Sequence, residues 1–425
     1  MLELWRRIAR IGAVKIYSVL LGVVTLAITA RILGPEGRGQ LVVIMTWVST
    51  FATLVSLSLG QVAIHKAAQC GGAGWLRVAL STLLLYATVV TAFGWSVALC
   101  LYWATQGALF GEVSAWLLVL GFIALPLIIF EQYVSSLLMT LEQLDIYNIF
   151  QVIGRTVGVA GTLALLLLAS WGVASVLLGN LAGLLIILVG STTYLYRRVD
   201  GWIRPSRIDL LCYLQSGIKL HLNAIGTFLI IGADILMLNY FRGPEETAFY
   251  QLGAQIIGIM MILPQAASMV VFGKVASLGA DRAWSNNRNM LIQVIALMGA
   301  AVLFVGGAAS WWLVWIAGEE FLPTLDVFYW QLMAIAGMTL STMMAPQWIG
   351  RGYFWQASLV TLTVGILNLT ANYLLIPQYG MKGAAWATLG SYMVALITNG
   401  LMVVWCERKA LVALRKEHAS SSAAT

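Results

Sequence analysis

The sequence predicts an all-α integral membrane protein of about twelve transmembrane helices, arranged as two six-helix lobes related by a pseudo-two-fold axis along the membrane normal. Three observations predict it. Of 425 residues, 60% are hydrophobic and 10% charged, whereas a soluble domain carries about 25% charged residues, and no water-soluble core hides that much apolar surface. Apolar runs that reach the roughly 20 residues a helix needs to cross hydrocarbon recur along the whole chain. Short features also repeat at nearly constant spacing between its two halves.

The first run, at approximately 11–33, follows the basic start MLELWRRIARIG. It has the look of a signal peptide, but it continues to Leu33 without a small-residue cleavage site and reads as an uncleaved first helix. The turn GPEGRG at 34–39 ends it, and CGGAG at 70–74 separates the runs at 40–64 and 76–104. Runs at 113–139, 149–170 and 173–196 complete an N-terminal lobe, 1–196. The longest polar break, RRVDGWIRPSRID at 197–209, marks a linker at 197–214. The C-terminal lobe, 215–406, holds runs at 215–241, 247–273, 289–315, 326–350, 355–377 and 381–406, with turns at RGPEE (242–246) and IPQYG (376–380). A tail follows at 407–425 and should lose order after His418. Pro126, Pro264 and Pro346 fall inside apolar spans and should kink or break them.

Charge sets orientation. The net charge of +7 would suit nucleic acid, but Lys and Arg cluster in short loops between apolar runs, as membrane topology requires. With the N-terminus inside, twenty of the 24 Lys and Arg lie at cytoplasmic ends, and only Arg31, Arg38, Arg242 and Lys382 at outer ends. Both termini are therefore expected in the cytoplasm, and no nucleic-acid partner is expected. The four cysteines (Cys70, Cys100, Cys212, Cys406) lie far apart with no nearby His, which argues against a disulfide framework or a zinc site. Trp103, Trp116, Trp171, Trp311, Trp312, Trp348 and Trp405 fall where interfacial aromatic belts belong.

The halves read as copies. Gly34-Pro35-Glu36 matches Gly243-Pro244-Glu245 at an offset of 209, and Trp171-Gly172 matches Tyr379-Gly380 at an offset of 208. Gly60-Gln61-Val62-Ala63 resembles Gly273-Lys274-Val275-Ala276. Six helices is an even number, so both copies share one orientation, with a cavity expected between the lobes.

Three stretches carry a family resemblance: ARILGPEGRGQ (30–40), ADILMLNYFRGPEETAFYQLGAQ (233–255) and LNLTANYLLIPQYGMKGAAWATLGSY (367–392). They resemble the polysaccharide-transport branch of the MOP flippase superfamily, relatives of MATE exporters and lipid II flippases. The resemblance implies a MATE-like fold and a Wzx-type flippase in a bacterial inner membrane. It would move an undecaprenyl-diphosphate-linked oligosaccharide from the inner to the outer leaflet by alternating access, beside membrane lipids and polysaccharide assembly proteins. No cofactor is expected beyond Na⁺ or H⁺ as coupling ion.

Asp234 lies inside an apolar span, where an acid costs ~2.5–3.5 kcal/mol on insertion scales and marks a functional position. Asn368 and Asn372 are four apart and share a helix face, as do Ala384 and Thr388. By resemblance to the sodium site of lipid II flippases, Asp234, Asn368, Asn372, Thr388 and the carbonyl of Ala384 would bind the coupling ion. This chain departs from that pattern in having Asn372 where a second acid would sit. The same Asn and Thr side chains could equally be hydrogen-bonding glue between helices.

A diphosphate needs cations. Arg10, Lys15, Lys219, Arg31 and Arg155 are candidates for headgroup contact, with Arg351 a further one near a helix end. The competing reading is topology alone, since long cationic side chains snorkel to the interface. Arg31, at an outer end, reads as an anchor or gate. Glu131 should either carry a proton or pair with Arg155. His65 and His221 are not expected to bind metal.

The rival from another class is a membrane polysaccharide polymerase or ligase. The outer loops here are short, and no nucleophile–base pair or metal cluster is legible, so an enzyme is not expected. Lipid II flippases and MATE-type cation antiporters are the alternatives within transport.

Overall fold

Long stretches of Leu, Val, Ile and Ala can satisfy their backbone N–H and C=O groups in hydrocarbon only by forming helix. The computed structural model describes the backbone of residues 2–69, 75–111, 113–198 and 207–422. Side chains are described within these ranges except at 2–13, 15, 65–69, 207–210, 212, 216, 219–220, 276–278, 280–282, 284–286 and 410–422. Among the described residues there are fifteen α-helices and no strand. The first half contains α1 (Leu2–Ser56), α2 (Leu59–Gln69), α3 (Trp75–Ala104), α4 (Ala115–Phe122), α5 (Ala124–Thr140), α6 (Leu144–Leu168) and α7 (Val173–Tyr196). The second contains α8 (Arg207–Ile231), α9 (Ala233–Arg242), α10 (Pro244–Met260), α11 (Ile262–Leu278), α12 (Ala280–Gly307), α13 (Ala309–Ala317), α14 (Leu325–Ile349) and α15 (Phe354–Ser422).

Nine helical stretches among the described residues are long and apolar enough to cross a membrane. The count is ten if Pro244–Met260 and Ile262–Val275, bent by 41°, form one span. The chain is thus a multi-pass membrane protein, with fewer separate spans than the twelve runs expected. The difference has a physical origin. Two stretches, Ile16–Ser56 and Phe354–Lys409, run for 41 and 56 residues, and each passes through one glycine outside helical geometry, Gly34 (φ 66°) and Gly380 (φ 57°). Both lie in the turns expected at 34–39 and 376–380, and both adopt left-handed φ values that glycine reaches without steric cost. At the C-terminal end, helix continues through Ser422 rather than losing order after His418. The segment ERKALVALRKEHA is rich in good helix formers.

Two of the three prolines fall just after a helix break, as expected, and the third does not break its helix; each leaves the carbonyl four residues earlier without a donor. α4 and α5 part at Ile123, and the Phe122 carbonyl ahead of Pro126 accepts the indole N–H of Trp95 at 2.9 Å. α10 and α11 part at Met261, ahead of Pro264. α14 instead runs through Pro346, where the hydroxyl of Ser268 donates to the Thr342 carbonyl at 2.9 Å.

Packing divides the chain into two compact units. Unit 1 comprises Met1–Phe228, Ile235–Phe249 and Leu313–Leu322; unit 2 comprises Leu229–Asp234, Tyr250–Trp312 and Pro323–Thr425. This grouping follows the spatial proximity of the backbone, whereas the 1–196 and 215–406 lobes follow the sequence repeat. In unit 1 an aromatic-rich core forms around Trp47, Phe51, Phe110, Phe122 and Tyr133. The hydroxyls of Tyr86 and Tyr133 donate to the Val55 and Ser56 carbonyls, supplying the orphan acceptors at the end of α1. α6 and α7 pack backbone to backbone. A Cβ on Gly154 would lie 2.6 Å from the Gly183 carbonyl, and one on Gly158 3.0 Å from that of Gly179, the small-residue contact that lets membrane helices approach closely.

Unit 2 has an apolar core around Ile257, Met261, Phe328 and Leu332, joined by buried side-chain hydrogen bonds. The Trp348 indole donates to Asn399 Oδ1 at 2.9 Å, and Asn399 Nδ2 to Ser341 Oγ at 2.9 Å. Asn287 Nδ2 donates to Gln347 Oε1 at 3.1 Å. Trp348 is therefore a core residue, in correction of its expected place in an interfacial belt. Trp103, Trp116, Trp171, Trp311 and Trp405 are exposed.

Candidate functional site

The acid singled out from the sequence is the centre of a buried polar cluster in unit 2. α8 ends at Ile231 and α9 begins at Ala233, so Asp234 sits inside the apolar stretch His221–Arg242, as expected, in the first turn after a one-residue break. A carboxylate is favoured there, because the first amides of a helix point their N–H groups outward and carry the positive end of its dipole. Asp234 is 4% exposed. The Tyr250 hydroxyl on α10 donates to Asp234 Oδ2 at 2.5 Å and lies 3.1 Å from Thr388 Oγ1 on α15. Tyr392 is near enough to Asp234 to interact with it electrostatically. Gln331 Nε2 on α14 donates to the Tyr250 carbonyl at 3.1 Å, and the Gln331 side chain fills the space that a Cβ on Gly253 would need.

Asp234 and Thr388, expected together, therefore meet through a tyrosine that sequence reasoning missed. A tyrosine in an apolar run looks like any interfacial aromatic. Its available signal was the hydroxyl, which needs a partner when buried.

Asn368 and Asn372 form a second pair, both fully buried on α15, with Asn372 Nδ2 donating to Asn368 Oδ1 at 2.9 Å. Asn372 Oδ1 and Asn368 Nδ2 have no partner among the described residues. A buried amide oxygen with unused lone pairs is a suitable ligand for a hard monovalent cation. Ala384 is fully buried, within helix one turn before Thr388. Its carbonyl is the natural acceptor for the amide of residue 388, so any ligand there would share it.

The headgroup candidates separate. Arg31 is exposed, and its guanidinium donates to the carbonyls of Val314, Trp315 and Ile316 at the end of α13. Arg155 is exposed on α6 within electrostatic reach of Glu131, while the hydrogen bond to Glu131 Oε1 comes from the Tyr147 hydroxyl at 2.7 Å. The side chains of Arg10, Lys15 and Lys219, like that of His65, lie outside the described residues. Two cavities in unit 1, of about 540 and 760 Å³, contain none of these residues. The first is lined by apolar and aromatic side chains, among them Trp95, Tyr102 and Trp103.

The chain matches the model of the polysaccharide biosynthesis protein family over residues 4–273. It is 21% identical over 403 residues to a putative O-antigen transporter of Shigella flexneri, covering 91% of this chain and 93% of that protein. Its fold is similar to that of the lipid II flippase MurJ in an inward closed conformation, with a TM-score of 0.75 at 12% identity over 93% of this chain and 87% of MurJ. An inward-facing MATE family multidrug resistance transporter of the MOP superfamily gives 0.69 at 13% identity, over 93% of this chain and 96% of the transporter.

Proposed function

Because the chain belongs to the polysaccharide biosynthesis protein family, we propose that it is a flippase. Its substrate would be an undecaprenyl-diphosphate-linked oligosaccharide repeat unit, moved across the bacterial inner membrane by alternating access. The observation that carries this reading is the correspondence, over nine-tenths of the chain, with a protein named as an O-antigen transporter. The MurJ-like fold supports transport over catalysis.

We read the two long stretches broken at Gly34 and Gly380 as two spans each, which raises ten spans to the twelve of a two-lobed transporter with both termini in the cytoplasm. The lobes would be 1–196 and 215–406. The coupling site would comprise Asp234, Asn368, Asn372, Thr388 and the Ala384 carbonyl, to which we add Tyr250, with Na⁺ or H⁺ as the ion. A lone buried carboxylate and a spare amide oxygen suit a monovalent charge. Arg10, Lys15, Lys219 and Arg155 would meet the diphosphate, and assembly proteins would take the product on the outer side.

The test is a proteoliposome assay with a fluorescent undecaprenyl-diphosphate oligosaccharide, with and without sodium and proton gradients. Protein-dependent exposure in the far leaflet is expected, and the gradient required names the ion. No movement, beside gradient-driven efflux of small cationic dyes, would replace this reading with a MATE-type antiporter.

A further inference from the structure

We propose that Arg31 is an exchangeable latch, which clasps the end of α13 and lets go when a diphosphate takes over its guanidinium. The second half of this statement rests on the substrate proposed above; the first does not.

α13 stops at Ala317, and Gly318 turns the chain away at φ 98°. The last carbonyls of a helix are short of intrahelical donors and carry roughly half a negative charge; here the Gly318 N–H reaches only back to Val314 O, at 3.0 Å. Arg31, 285 residues from Ile316 in sequence, covers three of them. Its Nε donates to Ile316 O at 3.2 Å, and its Nη2 to Trp315 O at 2.5 Å and Val314 O at 3.4 Å.

The contacts around this clasp are closely fitted. Gly39 has its Cβ position against the backbone of Pro244, and Gly111 has its own against the side chain of Asn239. Glu320 Oε2 lies 3.5 Å from where a Cβ on Gly34 would be. Phe249 and Phe321 meet edge to face at 5.7 Å. Arg31, Gly34 and Gly39 thus lie against Val314–Ile316, Glu320 and Pro244, all within unit 1. Charge asymmetry assigns the part of α1 around Gly34 to the outer face.

Two properties make this a latch rather than a strut. Arg31 is exposed, so an arriving anion can reach it and water can rehydrate the carbonyls it leaves. Its acceptors carry only partial charges, whereas a diphosphate offers formal charge and bidentate geometry, the stronger partner for a guanidinium. The outer end would then be released only when a headgroup has arrived.

The test uses the full-length chain in lipid nanodiscs, in a background without native cysteines, with spin labels at the exposed positions Glu36 and Glu319. Pulsed dipolar spectroscopy of the otherwise unchanged chain should give a short distance that lengthens with farnesyl diphosphate and not with farnesol. Arg31→Gln should raise the long-distance population roughly tenfold without ligand, the low end of what a hydrogen bond from a charged group is worth, and farnesyl diphosphate should then add nothing. Arg31→Lys, a second variant that keeps the charge, should be intermediate, because one ammonium cannot span three carbonyls. Arg31→Gln and Arg31→Lys distributions that match the parent would overturn the clasp. A parent distribution unmoved by farnesyl diphosphate would overturn the exchange. Failure to flip the glycolipid in proteoliposomes, with Arg31→Gln still opened, would remove the flippase reading and leave the clasp standing.

Discussion

Unit 1 and unit 2 solve the same problem, burying polar groups in a chain made for hydrocarbon, with different residues. In unit 1 the buried polar side chains are mostly Ser and Thr, such as Thr29, Thr50, Ser81 and Thr82. Several of these satisfy themselves on their own helix: Thr50 donates to the Thr46 carbonyl and Ser56 to that of Thr53. Such a hydroxyl asks nothing of its neighbours. In unit 2 the buried polar residues include Asp234, Asn287, Gln331, Gln347, Asn368, Asn372 and Asn399. An amide or carboxylate has too many donors and acceptors to be satisfied by one turn of helix, and Asp234, Asn287, Gln331 and Asn399 all bond to residues on other helices. In unit 1 aromatic rings, glycine contacts and bonds to backbone carbonyls join the helices, while unit 2 adds bonds between buried side chains on different helices. The difference is what leads us to propose the coupling site in unit 2, where amide and carboxylate side chains are buried in the spans.

The largest expected effect tests that placement. Asp234→Asn should reduce gradient-driven flipping to the protein-free background while leaving the purified protein folded, as read by its thermal melt. Retained ion dependence would move the coupling site elsewhere. Next comes the packing of unit 1. Gly158→Leu forces a side chain against the Gly179 carbonyl and should cost ~2–3 kcal/mol, as overpacking does, seen as a lower melting temperature in detergent. An unchanged melt would mean that α6 and α7 do not depend on backbone contact.

In unit 2, Asn399→Leu strips the Trp348 indole of its acceptor and Ser341 of its donor. The expected cost is ~1–3 kcal/mol, that of a buried group left unsatisfied, with the intrinsic fluorescence of Trp348 altered. Thr50→Val in unit 1 should be the mildest, within ~0.5 kcal/mol, because its hydroxyl bonds only within its own helix. A loss as large as that of Asn399→Leu would erase the contrast between the units.

Much of the fold was legible from local features. The apolar runs, the glycine breaks at 34 and 380 and the parting of helices ahead of Pro126 and Pro264 each depend on residues within one or two turns. Gly154 with Gly158, and Gly179 with Gly183, form a legible pattern that the sequence reading passed over, because a glycine in an apolar run also reads as a simple flaw in a helix. The site was legible in part. Asp234 stood out as a lone acid, and the four-residue spacing put Asn368 and Asn372 on one face without foretelling their hydrogen bond to each other. Tyr250 did not stand out, and Arg31 read as an anchor or gate without any sign of which carbonyls it holds.

The sequence by itself determined that this chain lives in a membrane, that it is helical there, and where its helices turn. Apolarity, helical hydrogen bonding and glycine or proline geometry act over a few residues and can be read wherever they occur. Only the tertiary structure decided which polar groups meet: Tyr250 with Asp234 and Thr388, Trp348 with Asn399, Arg31 with the end of α13. Those partners lie tens to hundreds of residues apart, and in the last case the acceptors are backbone carbonyls. Every residue carries such a carbonyl, so its identity says nothing about which one a distant arginine will find.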